Sequence, residues 1–108
     1  MRILHVDTGK SWRGGQQQVL NLHGELTRRG VESFLLCSQG GELERRARAR
    51  GLPVMGLPLR GEWDVFSALA VARTIRSFGA THLHLHSSHA QAIGLLAARF
   101  IGFRNVVV

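Results

Sequence analysis

Tyrosine is absent from these 108 residues, and Cys37 is the only cysteine. One thiol excludes an internal disulfide framework and any zinc or iron–sulfur site built from several cysteines, and it fits a reducing compartment. The aromatic residues, five Phe and two Trp, do not interleave with the basic runs as a stacking platform for nucleic acid requires, so specific nucleic-acid binding is not expected. No apolar run approaches the roughly 20 residues that a membrane-spanning helix needs. The opening Met1-Arg2-Ile3-Leu4-His5-Val6-Asp7 is too short in apolar length and too early in charge for a secretory leader. These absences set the expectation of a soluble, cytoplasmic protein. Acids are scarce as well: seven Asp and Glu face fourteen cations, thirteen of them Arg, for a formal charge of +7. Such a balance attracts polyanions, among them phosphorylated small molecules and anionic membrane surfaces.

Apolar residues make up 44% of the chain and charged residues 19%, enough to bury the core of one small domain covering 1–108. Short apolar runs alternate with amphipathic ones. Ile3–Val6 reads as a buried strand, followed by a glycine-punctuated loop from Asp7 to Gly15. Val19, Leu20, Leu22 and Leu26 fall at helical spacing, with Gly30 as the stop. Ser33–Cys37 is a second strand, Glu42–Arg50 a helix with Glu early and Arg late, and Leu52–Pro58 a short strand edged by prolines. Asp64 is placed to cap a helix running to Gly79. Thr81–His86 alternates as a strand, His89–Ile101 is a helix, and Asn105–Val108 begins a fifth strand. The order predicts an α/β fold: a Rossmann-like open parallel sheet, strand order 3-2-1-4-5, with helices on both faces. An apolar strand at Val106-Val107-Val108 with nothing after it reads as the edge of a larger unit, so the domain is expected to be incomplete at its C-terminal end.

Two constellations carry candidate chemistry. In the first loop, Gly9-Lys10-Ser11 is not a P-loop, because Leu4 stands where that motif needs its first glycine. Gly9 and Gly14 are too far apart for the dinucleotide fingerprint. What remains is Gly14-Gly15 directly before a helix, where backbone N–H groups and a positive helix end can approach a phosphate, with Lys10 and Arg13 beside it. A tight turn with no ligand is the other reading. In the second, His82, His84 and His86 share one strand face, and His84-x-His86-x-x-His89 has metal-ligand spacing. It resembles the His-x-His-x-Asp-His signature of metallo-β-lactamases, but Ser88 takes the Asp position and the β-α alternation is wrong for that fold. Local hydrogen bonding inside the sheet suits His82 and His84 better, and His86 lies at the carboxyl edge before Ser87, Ser88 and His89. His5 reads as a core or interstrand histidine, His23 as a surface or hydrogen-bonded one, and Cys37 as a small apolar filler. Trp12 either stacks on a sugar or base or packs over the sheet edge; Trp63 lies in a loop or at a helix start.

Taken together, Met1-Arg2-Ile3-Leu4-His5-Val6, Gly14-Gly15-Gln16-Gln17-Gln18-Val19, Leu26-Thr27-Arg28-Arg29-Gly30 and His84-Leu85-His86-Ser87-Ser88-His89-Ala90 resemble the N-terminal Rossmann-like domain of GT-B glycosyltransferases, specifically glycosyltransferase family 4. The resemblance implies the acceptor-side half of a retaining transferase that moves a sugar from a nucleotide-sugar donor to a glycan or glycolipid acceptor, as in polysaccharide biosynthesis. It implies no cofactor and no obligatory metal. Gly14 and Gly15 match the family's glycine pair near donor phosphates and acceptor, and Gln17 an acceptor-contacting polar position. His86 matches the histidine ending the fourth strand, and Ser87, Ser88 and His89 match the variable acceptor loop. Gly30-Val31-Glu32-Ser33 departs from the usual Gly-His-Glu-Val, and Arg13 stands where a proline is common. The catalytic histidine is expected beyond Val108, and the donor-binding C-terminal domain is expected outside this chain, so the fragment alone should not catalyse transfer. Many such enzymes sit peripherally at the inner face of a membrane, which the positive charge fits. A stand-alone anion- or nucleotide-binding α/β module and a histidine-rich zinc hydrolase are the alternatives.

Overall fold

The computed structural model describes residues 1–9, 11–58 and 65–108. Its elements are β1 (Arg2–Asp7), α1 (Gly14–Arg28), β2 (Glu32–Ser38), α2 (Glu42–Ala49), β3 (Val54–Leu57), α3 (Val65–Phe78), β4 (His82–Leu85), α4 (Ser88–Ile101) and β5 (Val106–Val107). The five strands form one parallel sheet in the order β3-β2-β1-β4-β5, as the alternation predicts. Asp7 belongs to the first strand, β4 ends at Leu85, and α4 opens at Ser88, each within a residue or two of the sequence reading. The expected Asp64 cap, along with Lys10 and Trp63, lies outside the described residues.

Strand alternation divides the core into two layers. Leu4, Val6, Leu36, Leu57, Leu83 and Leu85 point to one face, where α3 and α4 cover them with Ala68, Val71, Ile75, Ala90, Ile93 and Ala97. Small residues let α4 lie close to the sheet: a Cβ on Gly94 would run into the methyl groups of the buried Leu85. The opposite face carries Leu35 and Cys37, packed against Val19 and Leu20 of α1 and Leu43 and Ala47 of α2. His5 also lies on this second face, in register with His84 of β4. The α4 helix stops where Gly102 turns left-handed at φ +68°, a conformation other residues adopt at a cost.

The arginines divide the same way. On α1 and α2 they are consumed locally: Arg28 and Arg29 pair with Glu25, Arg45 and Arg46 with Glu42, and Arg48 with Glu44. Residues 65–108, by contrast, contain Arg73, Arg76, Arg99 and Arg104 and no Asp or Glu at all. No described helix is long and apolar enough to cross a membrane.

Candidate functional site

The carboxyl ends of parallel strands gather the loops that can bind ligands, and here the loops after β1 and β4 are tied together by side chains. Asp7 accepts a hydrogen bond from the Gly9 backbone N–H at 2.9 Å, folding the chain back just after β1. The Ser38 hydroxyl donates to the Thr8 carbonyl at 2.8 Å, and the Gln16 amide donates to the Gly9 carbonyl at 2.8 Å. The Thr8 hydroxyl reaches across to Nδ1 of His89 at 2.8 Å and lies 3.4 Å from the Ser87 hydroxyl. Ser87 in turn caps α4 by accepting from the Ala90 N–H at 3.2 Å. Ser87 and His89, in the loop after β4 and the first turn of α4, are therefore fixed against the first loop.

The glycine pair opens α1. Arg13 occupies the N-cap without a side-chain hydrogen bond to the helix, and the first turn holds no acid. Both glycines are exposed, and a Cβ built on either would meet nothing within 4 Å. Their lack of side chains is thus not demanded by packing within the described residues. Arg13 is exposed and donates to the Ser11 hydroxyl at 3.2 Å. Gln17 points along the helix, donating to Asn21 at 3.3 Å. Sequence reasoning passed over its neighbour: Gln16 is buried, holds the first loop, and keeps its Oε1 without a partner. Trp12 packs on the α1–α2 layer, with the Arg46 guanidinium over its ring at 4.2 Å, a cation–π contact that occupies one ring face.

The histidines regroup. The trio brought together is His5, His84 and His86, with one nitrogen from each within 4.8 Å of the others. His89, which shares metal-ligand spacing with His84 and His86 in the sequence, bonds Thr8 instead, because α4 turns it toward the first loop. Nδ1 of His5 lies 2.9 Å from Nε2 of His86, and the His84 and His86 ring centroids lie 3.8 Å apart with the rings tilted by 36°. Burial, helped by the neighbouring imidazoles, pushes His5 down to about 3 and His86 to about 4. Both rings are neutral near pH 7. His23 is fully buried rather than on the surface: Nδ1 meets the Ser33 hydroxyl at 2.6 Å and Nε2 the Pro53 carbonyl at 2.9 Å. Cys37 is sealed in the core, and burial pushes its thiol up to about 12, the opposite of an activated nucleophile. A recess lined by Met1, Arg2, Gly30, Val31 and Glu32 opens at the other edge of the sheet, away from these groups.

A five-stranded parallel sheet in the order 3-2-1-4-5 with helices on both faces is a Rossmann-like α/β fold. The family model for Glycosyltransferase Family 4 matches residues 12–108, and the chain belongs to that family. No curated protein matches the chain. Among solved structures, MurG of Acinetobacter baumannii superposes with a TM-score of 0.75 at 16% identity, over 97% of this chain and 33% of that one. HepE (Alr3699) of Anabaena in complex with UDP gives 0.77 at 16% identity, over 98% and 28%. The same protein with UDP and glucose gives 0.72. The chain thus spans a third or less of the length of these structural relatives.

Proposed function

We propose that the chain is the acceptor-side half of a retaining glycosyltransferase, which binds a glycan or glycolipid acceptor while a further, donor-binding domain holds a nucleotide sugar. The carrying observation is the tie between the first and fourth βα loops through Thr8, Ser87 and His89, in a chain whose family is glycosyltransferase family 4. HepE was solved with UDP and with UDP and glucose, which supports a nucleotide-sugar donor here. Coverage of a third or less of the relatives supports a second domain.

In this reading the exposed N–H groups of Gly14 and Gly15, at the positive end of α1, face the donor phosphates, with Lys10 and Arg13 adding charge. Gln17, His86, Ser87, Ser88 and His89 line the acceptor side, where imidazoles and hydroxyls offer donors and acceptors to a polyhydroxylated ligand. The attacking acceptor hydroxyl is oriented here, and the catalytic residue proper lies beyond Val108.

An anionic membrane surface is the partner the charge distribution favours. The α3–α4 layer exposes Phe66, Leu69, Leu95 and Phe100 among Arg73, Arg76 and Arg99, with no acid in residues 65–108. Exposed apolar side chains beside Arg on helices that carry no acid of their own suit the headgroup boundary.

The test is nucleoside diphosphate release from a panel of nucleotide sugars by the full polypeptide that contains this domain, followed by NMR of the product's anomeric centre. Acceptor-dependent release with the donor's anomeric configuration kept is expected. A native polypeptide no longer than these 108 residues would remove the donor half and sink the reading.

A further inference from the structure

We propose that His5, His84 and His86 form a binding site for a divalent transition-metal cation of the zinc, nickel and copper class. The proposal does not rest on the transfer reading, although it shares His86 with the acceptor side described above.

The backbone builds the trio. In the parallel register His5 of β1 stands beside His84 of β4, and the two-residue period of a strand puts His86 on the same face as His84. This presents two rings from one strand and a third from its neighbour, with His5 as a buried floor and His84 and His86 only partly buried above it. One nitrogen from each ring already lies within 4.8 Å of the others. Imidazoles bound to a tetrahedral zinc at about 2.1 Å place their nitrogens roughly 3.4 Å apart. Closing that difference requires the ring nitrogens to move by about an ångström.

The donor set also selects the metal. Three imidazoles with no carboxylate in the group disfavour magnesium and calcium, which take oxygen ligands, and favour the borderline cations. Hydrogen bonding within the protein leaves the set incompletely satisfied. Nδ1 of His5 is engaged with His86, while Nε2 of the same buried ring has no partner. Three neutral rings lie crowded at ring separations of 3.8, 5.1 and 5.6 Å, each offering one nitrogen lone pair that a cation can accept. A cation is the partner that accepts several such lone pairs at one point. Three protein ligands leave a fourth position for water or a ligand atom, the pattern of an open rather than a closed site.

The experiment is a titration of the chelator-treated chain with cobalt(II), read by its visible d–d absorption, followed by displacement with zinc. One equivalent per chain is expected, with intensity typical of four-coordination. His84→Ala and His86→Ala should each weaken binding by tenfold or more, whereas His82→Ala, on the same strand but outside the trio, should not. Binding by wild type no tighter than by His84→Ala, or lost equally with His82→Ala, would show adventitious surface coordination and overturn the proposal. Should the variants misfold, imidazole 15N shifts of the wild-type chain decide it. Zinc must then shift the nitrogens of His5, His84 and His86 together, and a response confined to other histidines overturns the site.

Discussion

The Thr8 hydroxyl lies 2.8 Å from Nδ1 of His89, joining two loops that are 81 residues apart in sequence. Thr8 is buried and also sits 3.4 Å from the Ser87 hydroxyl, so one side chain sets the spacing between the glycine loop and the start of α4. Thr8→Val keeps the shape and removes the hydroxyl. It should cost about 1 kcal/mol of stability and lower acceptor-dependent transfer by the full enzyme by about tenfold or more, because small misplacements of positioning groups are amplified in rate. Chemical denaturation and steady-state kinetics on the same preparation measure both.

Gly14 and Gly15 allow stability and function to be separated. Open space surrounds both positions, so a methyl group fits, and alanine is the better helix former. Gly15→Ala should leave the melting temperature unchanged or slightly raised while weakening the donor, read as an increased KM for the nucleotide sugar. A variant with unaltered donor KM would mean that the pair only makes a turn.

Acid should destabilise the domain over a defined window. His5 is held near 3, His86 near 4, and burial lowers His23 too, whereas each ring titrates near 6.5 when unfolded. Between about 6.5 and 4 the unfolded chain therefore binds more protons than the folded one. The stability contributed by these neutral rings is complete above 6.5 and declines as pH falls toward the folded values. Thermal melts in a chelating buffer at pH 7.5, 6 and 5 should give steadily lower midpoints. His23→Asn should show a shallower decline, since one buried ring no longer needs to stay neutral.

Much of this fold is legible in the chain. The two-residue period of His82 to His86 and the helical spacing of Val65 to Phe78 separate strand from helix without ambiguity, and their alternation leaves few sheet orders. The site was harder. Gln16, Gln17 and Gln18 are identical in sequence, and only the phase of α1 turns Gln16 inward to hold Gly9 while Gln17 bonds along the helix. The histidine trio depends on the register of β1 against β4, which no local pattern encodes, so the sequence spacing groups His84 and His86 with His89 where the fold groups them with His5. His23 sits mid-helix in a polar stretch, and its burial follows from partners on β2 and just before β3, Ser33 and Pro53.

The α3–α4 face, whose residues 65–108 contain no Asp or Glu, should bind anionic vesicles. Sedimentation with phosphatidylglycerol vesicles should carry the protein down, phosphatidylcholine vesicles should not, and salt should release it. Each Arg near an anionic surface contributes about 1 kcal/mol, so replacing Arg73, Arg76 and Arg99 together by Ala should weaken binding about 100-fold. Equal binding to neutral vesicles would assign the face to something other than lipid charge.

The most direct test is the split between acceptor and donor kinetics in the full polypeptide carrying His89→Ala, measured against wild type. If the loop after β4 serves the acceptor, transfer to acceptor should fall sharply while the slow hydrolysis of the nucleotide sugar by water stays near the wild-type rate. A parallel fall in both, or no change in either, would contradict an acceptor-side role for this loop.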